Sequence, residues 1–334
     1  MIYPWQTAVW SRLLHLKDEK KLAHALLFNG VAGIGKVHFA DELVKGFFCR
    51  DKVSAVEKGK LHKESACHAC SLLTGRVHPN VRWIEPEKNG DAIKIDQIRE
   101  VIAFLSHTSL QGELRIALLH PAEAMNSNAA NALLKTLEEP ASGAMLILIS
   151  HRPGLLPATV RSRCQRVDFA LPSQHQAEVW LGEQRVKQPQ ELSAALKLAH
   201  GAPLTALAYL KEKQLVLRKT IFEDLHRVML GKADPLQIAA QKSDVETLTY
   251  IDLSLAWIMD VLRMQLSGSD SLTNINMVSA LEEIKEGSDM QKNISLMTYL
   301  HSLRCQLLAG FNLNNQLVLE NILIRFKECG VSCS

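Results

Sequence analysis

One loop constrains this chain more than any other feature of its sequence. The short apolar run 25–28 is followed by Gly30-Val31-Ala32-Gly33-Ile34-Gly35-Lys36, which has the spacing G-x-x-x-x-G-K. Glycines at this spacing let backbone N–H groups face a phosphate, and the start of the next helix adds partial positive charge. The predicted nucleotide-binding residues are therefore Gly30, Gly33, Gly35 and Lys36. A strand before the loop and a helix after it predict an α/β fold.

Further apolar runs in the first half of the chain support that prediction. They lie at 81–84, 115–119 and 145–150. Short runs separated by helical patterns are typical of buried parallel strands joined by crossover helices. From Ser173 onward the strand-like runs vanish and helical patterns dominate. We therefore predict an α/β first half followed by an all-α second half.

One helix is especially clear from its apolar spacing. It is predicted to run from Asn128 to Glu139, with apolar side chains recurring on one face. Ser127 or Asn128 is the expected N-cap, and Pro140 is the expected stop.

The groups that would hold magnesium at the phosphate loop are missing. The residue after the loop lysine is Val37, where a Ser or Thr hydroxyl would ligate the ion. The run 115–119 is followed by His120 and Pro121, where acidic residues would organise the metal. We therefore expect no Mg²⁺ site, and a loop that is structural or binds ATP weakly or not at all.

Two motifs further along carry a resemblance to a known family. Residues 131–140 read NALLKTLEEP, and Ser162-Arg163-Cys164 follows downstream. Together they resemble bacterial clamp-loader subunits, which are AAA+ proteins of the DNA polymerase III holoenzyme. The resemblance implies a P-loop α/β domain over 1–169 with a cysteine-containing insertion at about 49–70, a small helical lid domain over 170–210, and a helical collar domain over 211–334.

Within that family, motor subunits hydrolyse ATP, and a stator subunit keeps the fold with a degraded nucleotide site. Val37, the His120-Pro121 pair, and Leu204 in place of a sensing Arg in the lid all match the stator. The resemblance then implies assembly with the γ/τ and δ subunits, which together open the β sliding clamp and load it on primer–template DNA. The alternative is a γ/τ-type ATPase.

The resemblance also implies a role for Arg163 as an arginine finger that enters the γ/τ active site in trans. The alternative is a surface arginine paired with a local carboxylate. Arg152, Arg161 and Arg166, with His151, form a local basic cluster. This cluster is expected to form a subunit interface or, less favoured, to contact the DNA backbone.

A cysteine cluster suggests a structural zinc site. Cys67 and Cys70 form a C-x-x-C pair, and Cys49 precedes them. Paired thiolates of this kind suit tetrahedral Zn²⁺. The family usually supplies four cysteines, so the fourth ligand stays open between His62, Glu64 and His68. The alternative is a degenerate loop with free thiols. A zinc-dependent nucleic-acid binder unrelated to replication would leave the two family motifs unexplained.

Composition excludes some function classes. Lys plus Arg number 38 and Asp plus Glu 35, so the net charge of +3 excludes a histone-like polycation. The sequence contains no run of ~18 apolar residues, so no membrane span is predicted. The first residues do not have the pattern of a secretory signal, so a cytoplasmic location is expected. Any DNA polymerase (nucleotidyltransferase) activity is expected to belong to the assembled holoenzyme rather than to this chain.

Overall fold

The computed structural model describes residues 2–49, 67–88, 91–106, 114–184, 189–211, 214–268, 272, 277–285, 287–308, 311 and 313–330. Contacts divide the chain into two compact units. One comprises residues 1–183 and 201–205, and the other comprises 184–200 and 206–334. The predicted boundaries at 169 and 210 stay a prediction.

The first unit is built on a parallel sheet with the strand order β2-β3-β4-β1-β5. Its strands are β1 (Ala25–Asn29), β2 (Val81–Ile84), β3 (Arg115–Leu119), β4 (Ala144–Ser150) and β5 (Gln165–Asp168). Its helices are α1 (Thr7–Asp18), α2 (Lys36–Phe48), α3 (His68–Thr74), α4 (Ile95–Ser106), α5 (Ser127–Glu138), α6 (Ala158–Arg161) and α7 (Gln174–Glu183). Short 3-10 helices lie at Pro4–Gln6, Ala122–Ala124 and Pro153–Leu155.

The four strands expected from apolar runs are confirmed, and a fifth was missed. Strand β5 pairs with β1 at the edge of the sheet. Its sequence is QRVD, in which only Val167 is buried. An edge strand that buries one side chain needs no apolar run, so the hydrophobic pattern does not reveal it.

Helix α5 begins and ends one residue earlier than predicted, and the expected cap was wrong. The N-cap is Asn126, whose backbone is extended and whose side-chain oxygen accepts a hydrogen bond from the Ala129 N–H at 2.8 Å. An Asn in that conformation satisfies one of the orphan donors of the first turn, which leaves Ser127 and Asn128 inside the helix. At the other end, Glu139 is the C-cap.

Apolar side chains fill both faces of the sheet. Helices α4 and α5 pack buried Ile98, Val101 and Leu133 against one face. The other face carries aromatic side chains, among which the Phe39 and Phe169 ring centroids are 4.9 Å apart. Since Phe39 belongs to α2, this packing fixes the helix that opens with Lys36 at the carboxyl end of β1.

The second unit is helical among its described residues, which confirms the all-α prediction. Its helices are α8 (Pro189–Leu198), most of α9 (Pro203–Lys211), α10 (Gln214–Met229), α11 (Pro235–Gln241), α12 (Thr247–Ser267), α13 (Val278–Lys285), α14 (Met290–Leu308) and α15 (Asn315–Cys329). The core of this unit includes the fully buried side chains of Phe222, Tyr250, Trp257 and Phe326. In the part of the chain that the structure describes, no helix combines the length and apolar composition needed to cross a bilayer.

Candidate functional site

A line of polar side chains crosses the carboxyl edge of the sheet. Glu85 follows β2, His120 follows β3, His151 follows β4, and Lys36 stands at the end of the loop after β1. Because the strand order is β2-β3-β4-β1, these four side chains lie in the order of their strands. The parallel sheet therefore assembles the group from positions that are far apart in the sequence.

Lys36 is turned into its own loop. Its Nζ donates to the carbonyl oxygens of Gly30 and Val31, each at 2.6 Å, and lies 2.9 Å from His151 Nδ1. An ammonium has three N–H donors, so these contacts use all of them. The residue is 2% exposed, and burial lowers the pKa of Lys36 to about 8, although the nearby Glu123 carboxylate opposes that shift.

The direction of the hydrogen bonds follows from the lysine. Lys36 is a donor only, so His151 Nδ1 accepts, and the neutral His151 ring carries its proton on Nε2. That Nε2 lies 2.9 Å from His120 Nε2, which must then accept. The His120 proton is left on Nδ1, which lies 3.8 Å from a Glu85 carboxylate oxygen.

Both histidines are held neutral. Burial, with the Lys36 ammonium beside it, lowers the pKa of His151 to about 4. Burial also lowers the pKa of His120, against the opposing effect of the Glu85 and Glu123 carboxylates. His151 therefore adds no positive charge to the predicted basic cluster at neutral pH.

Glu123 is a site residue that the sequence reasoning missed. One of its carboxylate oxygens accepts the backbone N–H groups of His151 at 2.9 Å and Arg152 at 3.1 Å. It thereby fixes the turn after β4 that aims the His151 ring at Lys36. The only available sequence signal was an acidic residue three positions after His120.

An aromatic cluster covers the start of α2. The Tyr3 and Trp5 rings stack with their centroids 5.0 Å apart, and Trp180 meets each of them edge-on at 5.4 Å. Trp5 Nε1 donates to the Ile34 carbonyl at 3.0 Å. Gly35 has a φ of +87°, and a Cβ there would collide with the Tyr3 ring. The aromatic side chains therefore lie directly on the loop.

Residues 204 and 205, which belong to the first unit, also contact the loop. The Leu204 N–H donates to the Gly33 carbonyl at 2.9 Å. Gly33 has a φ of +76°, and a Cβ on it would collide with the side-chain hydroxyl of Thr205. Leu204, which stands where the resemblance places a sensing arginine, thus contributes its backbone to loop closure.

Arg163 lies in a short turn at the surface. Its Nε donates to Glu138 Oε1 at 2.9 Å, and its Nη1 donates to the Thr159 carbonyl at 3.0 Å. The Arg163 side chain is 35% exposed, and the Glu138 side chain is 50% exposed. Cys164, the next residue, is packed against the core, and burial raises its pKa to about 11. The turn is therefore anchored below while the guanidinium stays accessible.

The other predicted arginines lie on three separate elements. Arg152 precedes the 3-10 helix 153–155, Arg161 ends α6, and Arg166 is in β5, where its Nε donates to Asp168 Oδ1 at 2.7 Å. All three are exposed. The predicted basic cluster therefore stays a prediction, and one of its members, Arg166, is paired with a carboxylate of its own strand.

The three predicted thiol ligands come together. The Sγ atoms of Cys49, Cys67 and Cys70 all lie within 4.8 Å of one another. Cys49 is buried at the C-cap of α2, and Cys67 is the N-cap of α3, the helix that contains Cys70. His68 is not part of the group, and His62 and Glu64 lie outside the described residues.

These thiols suit a soft divalent cation. Tetrahedral zinc with Zn–S bonds of about 2.3 Å places its sulfurs about 3.8 Å apart. This separation is compatible with three Sγ atoms that all lie within 4.8 Å of one another. Burial and hydrogen bonding to Cys49 and Cys67 raise the pKa of the Cys70 thiol to about 12. A bound cation would reverse that shift, since a coordinating thiol is deprotonated by the ion's charge.

The fold and the loop together define an AAA+-type P-loop protein with a helical second unit. Three family models cover nearly the whole chain: "DNA polymerase III, delta subunit" at residues 5–173, "DNA polymerase III subunit delta', AAA+ ATPase lid domain" at 172–211, and "DNA polymerase III, delta subunit, C terminal" at 212–328. The chain belongs to the DNA polymerase III subunit delta′ family, which is a family of bacterial replication proteins.

Individual relatives agree with the family models. The subunit delta′ of Pseudomonas aeruginosa is 33% identical over 97% of this chain and 97% of that protein. The subunit delta′ of Escherichia coli K12 is 26% identical over 98% of this chain and 95% of that protein. Among solved structures, a gamma subunit-related protein of Thermotoga maritima is 21% identical with a TM-score of 0.48, covering 95% of this chain and 99% of that one.

Proposed function

We propose that this chain is the non-hydrolysing subunit of a bacterial clamp loader, which acts on ATP bound by a neighbouring subunit. The observation that carries the proposal is the position of Lys36. Its three N–H groups are satisfied by the carbonyls of Gly30 and Val31 and by His151, so a phosphate would have to displace one of these partners to reach the ammonium. The loop carbonyls and the imidazole of His151 occupy the donors with which the Lys36 ammonium would otherwise bind a nucleotide phosphate.

The remaining features of the loop support the same proposal. Val37, His120 and Pro121 offer no carboxylate or hydroxyl for Mg²⁺. The aromatic cluster of Tyr3, Trp5 and Trp180 lies on the start of α2, and the Leu204 N–H is bonded to the loop itself. A phosphate bound by this loop would have to displace the contacts of Lys36. Binding of ATP is therefore weak or absent.

Arg163 is the residue through which this chain acts. Its guanidinium is accessible on a turn anchored by Cys164 and is therefore suited to an anion on another subunit. An arginine supplied in trans to a transferring phosphoryl group is worth ~10³–10⁵ in rate. We assign Arg163 as the finger for the γ/τ active site.

Family membership supports the partners that we propose. The chain assembles with the γ/τ and δ subunits, and the complex loads the β sliding clamp on primed DNA. Exposed Arg152, Arg161 and Arg166 lie on elements adjoining the Arg163 turn in sequence, which favours a role at the subunit interface over contact with DNA phosphates.

The three cysteines would hold a structural Zn²⁺. Cys49, Cys67 and Cys70 would each supply a thiolate, and the ion would tie the end of α2 to the start of α3. The fourth ligand stays open between His62 and Glu64, which lie outside the described residues, and His68, which lies outside the thiol group.

Reconstitution tests the proposal. Complexes of γ/τ and δ with and without this chain are compared for clamp loading on primed DNA, and the isolated chain is tested for Mg²⁺-dependent ATP turnover. We expect loading only with the chain present and no turnover by the chain alone. Robust turnover by the isolated chain would replace this proposal with a γ/τ-type ATPase.

A further inference from the structure

We infer that Glu138 is a positioning residue for Arg163, holding the guanidinium so that its outer edge faces away from this chain. The inference rests on the function proposed above for Arg163. It gives a role to the NALLKTLEEP stretch, whose first glutamate, Glu138, is joined to the Ser162-Arg163-Cys164 motif by an ion pair.

The contacts divide the guanidinium into an occupied side and a free edge. Glu138 Oε1 accepts from Arg163 Nε at 2.9 Å and is also contacted by Nη2. Nη1 donates to the Thr159 carbonyl. A guanidinium has five N–H donors. Among the described residues these contacts account for three of them, which leaves one on each terminal nitrogen.

The free edge matches an anionic ligand. The N–H groups left on the two terminal nitrogens can each donate to a phosphate oxygen. Because Glu138 takes the Nε side, the carboxylate and a phosphate do not compete for the same donors. Glu138 therefore orients Arg163 without withdrawing it from a ligand.

The position of Glu138 in its helix is a second, independent argument. Glu138 is the last residue of α5, and Glu139 is its C-cap. The C-terminal end of a helix is its negative pole, so carboxylates are disfavoured there and cations are favoured. Two acidic residues at this end oppose the local electrostatics, and the pairing with Arg163 compensates one of them.

If Glu138 orients the Arg163 side chain before it meets a ligand, the effect can be measured in the rate of ATP hydrolysis. A long exposed side chain loses rotational freedom when it binds, and that cost is avoided when the fold already holds it in place. Loss of the Glu138 contact should therefore lower the rate supported by Arg163 roughly two- to tenfold. The KM for ATP should not change, because the nucleotide is bound by the neighbouring subunit.

The test uses the complete complex reconstituted with γ/τ, δ and variants of this chain. Glu138→Ala should lower kcat for ATP hydrolysis two- to tenfold at unchanged KM. Glu138→Asp should behave like Ala because its carboxylate is withdrawn by one methylene, whereas Glu138→Gln should restore most of the rate because it keeps an acceptor oxygen within reach. Glu139→Gln, at the adjacent exposed carboxylate, is the matched control and should match the wild type.

A double-mutant cycle separates positioning from general support of the fold. In an Arg163→Ala background, Glu138→Ala should cause no further loss, since coupled residues are not additive. An additional loss there, an unchanged rate in Glu138→Ala alone, or a higher rate would each overturn the positioning role. If Glu138→Ala does not assemble, the Asp and Gln variants decide the question by the same criteria.

The outcomes also separate this inference from the proposed function. If Arg163→Ala leaves the ATPase rate of the complex unchanged, the finger assignment fails and the positioning role fails with it. If Arg163→Ala lowers the rate while Glu138→Ala matches the wild type, the finger stands and only the positioning role is lost.

Discussion

Two basic side chains of this protein have opposite surroundings. Lys36 is buried in the phosphate loop and gives every donor to its own chain, whereas Arg163 lies on a surface turn and, among the described residues, uses three of its five donors. Both residue types bind phosphate in proteins. The difference teaches that the lysine of a phosphate-binding motif can be satisfied by the chain's own carbonyls without a phosphate.

The largest effect is expected when the accessible side chain of the pair, Arg163, is removed. Arg163→Ala should lower single-turnover ATP hydrolysis at the adjoining site by about 10³, because the developing negative charge loses its counter-charge. Assembly, followed by size-exclusion chromatography, should be unaffected.

Arg99→Ala is the control for that variant, since Arg99 is an exposed arginine in a helical ion pair with Asp96 at 3.0 Å. Loss of activity in both variants would point to a general charge effect instead of a finger.

Metal removal tests the cluster of Cys49, Cys67 and Cys70 at the C-terminal end of α2, the helix that begins with Lys36. Purified protein should contain one Zn²⁺, and Cys70→Ser should lower that content. If free zinc is 100-fold above its Kd, binding stabilises the fold by about 2.7 kcal/mol. Chelation should lower the thermal midpoint by a corresponding amount.

Cys305→Ser provides the matched control, because Cys305 is exposed on α14 and outside the cluster. A chain that holds no zinc, with Cys49, Cys67 and Cys70 all freely alkylated, would contradict the metal site.

The dependence of stability on pH tests the buried surroundings of Lys36, because His151 contacts it. His151 is neutral in the folded chain with a pKa of about 4, against an ordinary 6.5. Between pH 6.5 and pH 4 the unfolded chain binds a proton that the folded chain does not, so stability falls as the pH falls through this window and levels off below it.

His151→Gln keeps an acceptor for Lys36 but does not titrate. In urea unfolding, the variant should lose about 1–2 kcal/mol less than the wild type between pH 6.5 and pH 4, after allowance for partial solvent exposure. His175→Gln, at an exposed histidine, should follow the wild-type curve. Identical pH curves for all three proteins would contradict the buried neutral ring.

The smallest effect is expected for a substitution beside Lys36, which should leave the ATP turnover of the isolated chain at zero. Val37→Thr restores the hydroxyl that a magnesium-binding loop needs, but Lys36 remains held and His120 and Pro121 remain without a carboxylate. The isolated variant should show no ATP turnover, and its nucleotide binding by calorimetry should not exceed that of the wild type. Turnover in this single variant would mean that the lysine contacts are no obstacle to nucleotide.

Much of the fold follows from local pattern, because a buried strand needs an apolar run and a helix needs its spacing. Four of the five strands are visible in this way, whereas β5 buries only Val167 and is not. The N-cap of α5 was misplaced because three consecutive polar residues, Asn126, Ser127 and Asn128, all suit a cap, and only the backbone conformation selects one.

The site was less predictable, since it depends on contacts between distant segments. The loss of the magnesium groups could be read directly from Val37, His120 and Pro121. Closure of the loop by its own carbonyls could not be read, and neither could the Glu123 contacts to the turn after β4. Such contacts follow from strand order, and strand order is a property of the whole sheet.

Helix α2 is restrained at both of its ends. Its first residue, Lys36, is bound to the loop before it, and its C-cap, Cys49, lies within the thiol cluster, 13 helical residues or about 20 Å away. The start of this helix is held by backbone oxygens without any nucleotide. In the proposed complex, α2 therefore needs no ATP of its own to keep its position beside the loop.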